Sequence, residues 1–115
     1  MRALFVGVLV ATAAIAQDKP PAGDAERGKA AYMKYQCYTC HGTVGQGGER
    51  GAGPKLAPNP FPWAGFVHQV RTPRQDMPAY RAQHLPDQDL ADIYAYVLTL
   101  KPQRNAKELP QLRFE

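Results

Sequence analysis

Apolar residues recur at helical spacing in three stretches of the chain. In the first stretch, from about Asp24 to Gln36, the residues Gly28, Tyr32 and Tyr35 are spaced i, i+4 and i+7 and therefore share one face. Acidic side chains near its start suit the positive end of a helix dipole. This stretch predicts the first helix, with one face directed toward the core.

The last and most regular stretch runs from about Asp87 to Leu100. It begins after Pro86 and is followed by Pro102, and both are favourable places for proline at helix ends. Its apolar stripe consists of Leu90, Ile93, Tyr94 and Val97. A shorter helix is predicted from Trp63 to Arg71, with an apolar side of Trp63, Phe66, Val67 and Val70. No stretch requires a strand, so the sequence predicts an all-α protein.

The first sixteen residues have the composition of a secretory signal peptide. Arg2 is followed by the apolar run Ala3–Ala16, which ends in the small-x-small sequence Ala14-Ile15-Ala16. This run is shorter than the roughly 20 residues that a membrane-spanning helix needs. We therefore expect residues 1–16 to be a cleaved signal peptide and residues 17–115 to be a periplasmic domain without stable membrane insertion.

Composition indicates a small domain with many turns and a limited core. The chain of 115 residues contains 10 glycines and 11 prolines, and a domain of this size buries only a modest share of its surface. We therefore expect a cofactor to fill part of the interior. The formal net charge is +4, but the charges are interspersed, which favours docking on an acidic protein partner over nucleic-acid binding.

Both cysteines of the chain lie in one short motif, Cys37-Tyr38-Thr39-Cys40-His41. Cys-x-x-Cys-His is the attachment signature of c-type haem. Each thiol adds across one haem vinyl group to form a thioether, and this spacing places both sulfurs along one porphyrin edge. The histidine then lies below the ring as the proximal iron ligand. The motif predicts one haem c, held covalently by Cys37 and Cys40 and ligated by His41.

Three other interpretations of this motif stay open at this point. Two cysteines in an exported protein can form a disulfide. A thioredoxin-like redox pair is also conceivable, although the chain lacks the βαβ pattern that such a pair accompanies. A closed zinc site needs four ligands, and the chain has no second cysteine pair to complete one.

Four further segments occur in a definite order along the chain, one before the haem motif and three after it. They are Gly23–Tyr32 before the motif and, after it, Gly53-Pro54-Lys55-Leu56, Met77-Pro78-Ala79-Tyr80 and Leu90–Val97. With the motif, they make the sequence resemble the small monohaem class I c-type cytochromes from about Gly23 to Leu100. Within that family it is most similar to bacterial cytochromes that serve periplasmic dehydrogenases as electron acceptors or subunits.

The resemblance implies a cytochrome c-like fold in which three main helices surround one haem. The helical core would span about residues 23–100, and an extended tail would occupy residues 101–115. The first and last helices would cross near Gly28 and Tyr32, although spacing alone leaves open whether Gly28 marks a close approach or only a helix start. Tyr32 and Tyr94 are expected in the core.

The resemblance also implies contacts around the haem. The carbonyl oxygen of Pro54 would accept the second ring N–H of His41, which fixes the imidazole tautomer. Trp63, Tyr80 and Arg74 are candidates to bind the haem propionates. The glycine-rich stretch from residue 42 to residue 61 lacks the Gly-Lys-Ser/Thr of a phosphate-binding loop, and we interpret it as a loop around the proximal haem edge.

Function depends on the sixth ligand of the iron, for which Met77 is the strongest candidate. It follows the haem motif at a distance that lets the chain cross to the opposite face, and a thioether there raises the potential and suits electron transfer. Met33 lies too close to Cys37, and His68 lies off the apolar side of its helix. His84 is the main rival and would give a bis-histidine iron of lower potential.

These observations predict a periplasmic one-electron carrier with His41 and Met77 as axial ligands. A dehydrogenase is expected as electron donor, and an oxidase or reductase as acceptor. No general base, nucleophile or substrate pocket is recognisable, so we expect no enzymatic activity of its own. The alternative functions are a haem protein with an open or labile sixth site, such as a peroxidase or gas sensor, and a haem-free disulfide or metal-binding module.

Overall fold

The computed structural model describes residues 19–48, 52–59 and 61–112. Helix α1 spans Ala25–Lys34, α2 spans Tyr38–His41, α3 spans Trp63–Arg71 and α4 spans Asp87–Thr99. Two short 3₁₀ turns, Ala106–Glu108 and Pro110–Leu112, follow. The described residues contain no strand, and the predicted all-α class is confirmed. The predicted signal peptide, residues 1–16, lies outside the described residues.

Helix α1 is shorter than its sequence pattern suggests. The side chain of Asp24 caps its N-terminus by accepting a hydrogen bond from the Arg27 N–H at 2.8 Å. The helix ends at Lys34, because Gln36 adopts a left-handed conformation with φ of 61°. This reversal starts a new turn at Cys37, so the segment predicted as one helix contains the junction that leads into α2.

Helices α1 and α4 form the closest helix pair of the domain. A Cβ atom on Gly28 would overlap the carbonyl oxygen of Asp92 and come within 2.9 Å of the Tyr96 Cβ. The ring of Tyr32 packs edge-on against Tyr96, with centroids 5.4 Å apart. The crossing expected near Gly28 and Tyr32 is thus present. Gly28 marks a close approach of the two helix backbones, because any side chain at this position would overlap α4.

A buried carboxylate holds the start of α1 against α4. Asp92 is only 3% exposed and accepts hydrogen bonds from the Asp24 backbone N–H at 2.8 Å and from Arg27 Nε at 2.8 Å. The Gln88 amide donates a further bond at 3.1 Å. These bonds, with that from Arg27 first, hold the pKa of Asp92 below its usual value. The carboxylate is therefore fully partnered although it is buried.

Helix α3 completes the core by packing against α4. Phe66 and Val70 are buried, and the Phe66 ring lies 4.9 Å from that of Tyr94. The hydroxyl of Tyr94 reaches the carbonyl oxygen of Phe61 at 3.2 Å. Tyr32 and Tyr94 are both buried, as the sequence analysis expected.

Residues 101–112 of the tail lie on the surface. All of them are exposed except Leu109, which is half-buried. Leu112 is 47% exposed, and Phe114 lies outside the described residues. Within the part of the chain that the structure describes, no helix has the length and hydrophobicity to cross a bilayer.

Candidate functional site

The Cys-x-x-Cys-His motif forms a compact turn directly after α1. The backbone N–H of His41 donates to the Cys37 carbonyl oxygen at 3.0 Å. The Thr39 hydroxyl donates to the carbonyl oxygen of Gln36 at 2.7 Å. One helical turn therefore separates Cys37 from Cys40 and His41, which places the three functional side chains on a single short element.

Both cysteines are free thiols in this turn and are half-buried. Burial raises the pKa of the Cys37 thiol to about 11, so this thiol is protonated at neutral pH. No disulfide joins Cys37 and Cys40 in the part of the chain that the structure describes. A reduced pair of thiols is the form that thioether attachment requires.

The imidazole of His41 is oriented by the loop that follows α2. Its Nδ1 lies 2.8 Å from the carbonyl oxygen of Pro54, the contact that the family resemblance implied. With Nδ1 acting as donor to this carbonyl, Nε2 is the basic nitrogen that remains to bind a metal. The orientation of His41 thus suits a proximal iron ligand.

Two glycines, Gly48 and Gly53, allow this loop to approach the Cys-x-x-Cys-His motif closely. A Cβ atom on Gly53 would lie 2.6 Å from the carbonyl oxygen of Cys40 and 3.1 Å from His41 Nδ1. A Cβ atom on Gly48 would lie 2.7 Å from the same Cys40 oxygen. The glycines of the loop are therefore part of the site, because they bring the Pro54 carbonyl within reach of His41.

The first part of the loop is fastened to the two crossed helices. The hydroxyl of Tyr32 donates to the carbonyl oxygen of Gly42 at 2.6 Å. The Tyr96 hydroxyl donates to that of Thr43 at 3.2 Å. The pair of tyrosines at the α1–α4 crossing therefore fixes the chain immediately after His41.

Met77 lies in the irregular connection between α3 and α4. Its side chain is half-buried and packs against the hydrophobic core. Its Sδ accepts a long hydrogen bond from the side-chain amide of Gln69 in α3, at 3.7 Å. The thioether is thus directed by α3 rather than exposed to solvent.

Tyr80, three residues after Met77, joins this connection to the cysteine turn. Its hydroxyl donates to the carbonyl oxygen of Tyr35 at 2.7 Å. Burial, followed by the charges that the Cys37 and Cys40 thiols would carry, raises the pKa of Tyr80. The hydrogen bond to Tyr35 therefore fastens this phenol to the backbone two residues before Cys37.

The remaining candidates from the sequence differ in their exposure. The Trp63 ring is half-buried and packs edge-on against Tyr94 at 5.3 Å. Arg74 is exposed. Binding of the haem propionates by Trp63, Tyr80 and Arg74 stays a prediction. The alternatives to Met77 as sixth ligand are all exposed, namely Met33, His68 and His84.

The residues present fit the haem that the sequence predicts. An apolar rim of half-buried side chains packs against the core and is contributed by every α-helix or its flanking loop. The rim consists of Tyr35, Cys37, Tyr38, Leu56, Trp63, Val67, Met77, Tyr80 and Leu100. Such a rim of partly covered apolar surface suits a large flat apolar group. Among the described residues, no cluster of three or more His, Cys, Asp or Glu side chains could form a metal site of the zinc type.

Sequence reasoning missed two residues next to these candidates. Gln69 contacts the Met77 sulfur, and Arg71 binds the connection that carries Met77. Both lie in the predicted helix from Trp63 to Arg71, but their partners are more distant in the chain. A polar residue near the end of a short helix looks like a solvent-exposed one, and the sequence carries no signal that distinguishes them.

Comparison with known families gives one match. The family model described as cytochrome c oxidase, cbb3-type, subunit III, matches residues 23–97. The matched range includes the cysteine turn, the Pro54 loop, Met77 and nearly all of α4. A search of curated proteins finds no match.

Proposed function

The chain belongs to the family described as cytochrome c oxidase, cbb3-type, subunit III, and on this premise we propose that it is a periplasmic electron carrier with His41 and Met77 as axial ligands of the iron. As a small c-type cytochrome domain, it carries electrons on haem c. The observation that carries the proposal is the oriented imidazole of His41, whose Nδ1 lies 2.8 Å from the Pro54 carbonyl. A histidine held in this way directly after the two cysteines of the attachment motif is arranged for iron binding.

When bound, haem c supplies a one-electron redox centre. In this chain, Cys37 and Cys40 would hold it through thioethers, and His41 would ligate the iron through Nε2. The hydrogen bond to Pro54 keeps the proton on Nδ1 and leaves Nε2 free to bind the iron. The half-buried apolar rim would exclude water from most of the ring and leave little to reorganise when the iron changes charge.

The choice of Met77 as sixth ligand is supported by burial. Its thioether packs against the core, whereas His84 and His68 are exposed on the surface. A methionine ligand stabilises the ferrous state more than a second histidine and raises the potential. With His41 and Met77 both bound, the iron would have no open position for a substrate or gas, which would suit a carrier and not a peroxidase or gas sensor.

Partners and location extend the proposal. The export-type sequence of residues 1–16 supports a periplasmic location. The name of the matched family refers to an oxidase subunit, which supports an oxidase as acceptor, and a dehydrogenase is proposed as donor. Both partners would dock at the exposed part of the haem edge.

The ligand assignment is tested by Met77→Ala, with Met33→Ala as the matched control. Met77→Ala is expected to keep covalent haem but to lose the weak long-wavelength sulfur-to-iron band of the ferric protein, and its potential should fall. Met33 is 40% exposed, so Met33→Ala should retain both the band and the potential. Potentials are measured by spectroelectrochemical titration.

His84→Ala completes the test of the ligand. If His84 were the sixth ligand, this variant would lose low-spin ligation while Met77→Ala kept it, and the Met77 assignment would be wrong. If neither variant changed the ferric spectrum and that spectrum were high-spin, the sixth position would be open, and the protein would be a ligand-binding haem protein instead of a carrier.

A further inference from the structure

The connection from residue 72 to residue 86 carries Met77, the candidate sixth ligand, and contains no helix. It consists of bends, turns and irregular chain between α3 and α4. Its buried anchor is Leu85, which is 1% exposed, while most of its other residues are exposed. Such a segment can adopt several conformations unless its backbone groups are bound from outside.

Arg71, the last residue of α3, binds this connection at two separate points. Its Nη1 donates to the carbonyl oxygen of Tyr80 at 2.9 Å and to that of Leu85 at 2.7 Å. Its Nη2 donates to Asp87 at 2.7 Å. One guanidinium therefore joins the end of α3, the middle and end of the connection, and the first turn of α4.

Exposure separates this contact from an ordinary surface ion pair. The side chain of Arg71 is 18% exposed, whereas that of Asp87 is 82% exposed. The ion pair with Asp87 therefore faces water and contributes little. The two carbonyl bonds lie on the protected side, where an unpaired carbonyl oxygen is costly.

Tyr80 links the same point to the cysteine turn. Its backbone N–H donates to the Val70 carbonyl oxygen at 3.0 Å, while its own carbonyl accepts from Arg71. Its hydroxyl reaches Tyr35, two residues before Cys37, at 2.7 Å. Consecutive residues of α3 thus bind both backbone groups of Tyr80, and Met77 lies three residues earlier.

We propose that Arg71 is a positioning residue that keeps Met77 at the iron by binding the carbonyl oxygens of Tyr80 and Leu85. The inference depends on the proposed function, because it assumes that Met77 is the sixth ligand. A planar guanidinium can serve both carbonyls and Asp87 at once, whereas the flexible ammonium of lysine is not preorganised for this geometry. Loss of the guanidinium frees the connection and makes Met77 easier to displace.

The test measures how readily imidazole displaces Met77 in the folded ferric protein. Imidazole is titrated into wild type, Arg71→Gln and Arg71→Lys at neutral pH, and loss of the sulfur-to-iron band gives its apparent affinity. We expect Arg71→Gln to bind imidazole about tenfold more tightly than wild type, since two charge-assisted hydrogen bonds are lost. Arg71→Lys should be intermediate and keeps the test available if the glutamine variant fails to mature.

Two control variants separate this role from a general effect of charge. Asp87→Asn removes the exposed ion pair but leaves both carbonyl bonds, and Arg81→Gln removes an exposed arginine of the same connection. Both should bind imidazole as wild type does. A residue with only a structural role would lower the unfolding temperature without changing imidazole affinity far below that temperature.

The possible failures are distinguishable. If wild type has no sulfur-to-iron band, the proposed ligation by Met77 is wrong. If wild type has the band and the Arg71 variants bind imidazole with unchanged affinity, the positioning role of Arg71 is wrong while the proposed function stands. Equal tightening in the Arg81→Gln control would also overturn the role, because it would show an effect of net charge.

Discussion

At the scale of single residues, the site depends on backbone contacts that only glycine permits. Gly53 lies against Cys40 and His41 so closely that a Cβ atom would come within 2.6 Å of the Cys40 carbonyl oxygen. The methyl group of alanine would therefore push the Pro54 loop away from His41. The orientation of the imidazole is in this sense set by a residue that makes no hydrogen bond to it.

Gly53→Ala should lower the free energy of unfolding of the holoprotein by about 1–3 kcal/mol, the usual cost of overpacking. Gly65→Ala in α3 is the matched control, since its Cβ would meet only ordinary contacts of 3.4 Å or more, with Phe61 and Pro62. Because alanine is the better helix former, that control should gain about 0.5–1 kcal/mol. Denaturant unfolding measures both, and a neutral Gly53→Ala would show that the loop approach is not needed.

The sequence predicts some residues of the site and not others, for physical reasons. The spacing of Cys37, Cys40 and His41 is local, so the motif itself specifies their relation. The His41–Pro54 contact followed from resemblance, because nothing in the residue types indicates a loop closing over thirteen positions. Arg71 had no signal at all, since its partners are backbone carbonyls that every residue carries.

At the scale of elements, the α1–α4 crossing is held by a buried carboxylate. Asp92 receives hydrogen bonds from Arg27, from the Asp24 backbone and from Gln88, and the first of these lowers its pKa most. A lowered folded-state pKa contributes stability above the unfolded value of 3.8, and this contribution is lost as the pH falls through the folded value.

Asp92→Asn should therefore reduce the free energy of unfolding at pH 7. It should also make the loss of stability smaller as the pH falls below the unfolded value of 3.8. The exposed carboxylate of Glu108 provides the control, because Glu108→Gln removes the same charge outside the crossing. Urea unfolding at a series of pH values measures the effect. Parallel curves for wild type and Asp92→Asn would mean that Asp92 is not linked to acid stability.

The tyrosines at the same crossing predict an alkaline limit. Burial raises the pKa of both Tyr32 and Tyr96. A raised folded-state pKa contributes stability that is complete below the unfolded value of about 10 and is lost as the pH rises through the folded value. Stability should therefore fall above about pH 10. Tyr96→Phe should make this fall in stability less steep, because it removes one of the two groups with a raised pKa. Urea unfolding between pH 8 and pH 12 measures how the free energy of unfolding depends on pH. If this dependence were the same in Tyr96→Phe as in wild type, the prediction would be wrong.

Helical periodicity predicted the elements better than it predicted their ends. The helix Trp63–Arg71 is confirmed as written, and the last helix ends at Thr99, one residue early. The first helix ends at Lys34 instead of Gln36, because Gln36 turns to a φ of 61°. The sequence gives little warning of this, since glutamine is not a typical left-handed residue.

At the scale of the whole molecule, the protein has a small helical core and an apolar rim of half-buried side chains that pack against it. The core is concentrated on α4, while the rim combines side chains from every helix or its flanking loop. A cofactor was expected from composition alone, and the matched family accounts for it. The tail has no comparable pattern, and its residues 101–112 are nearly all exposed.

The visible spectrum of the periplasmically expressed wild type tests the central claim most directly. The protein is recorded in its oxidised form and again after reduction with dithionite. The account predicts sharp reduced bands of c-type haem and, in the oxidised form, the weak sulfur-to-iron band of a His41–Met77 iron. A c-type spectrum without the sulfur band would contradict the ligation, and no haem absorbance from cells with working attachment machinery would contradict the carrier itself.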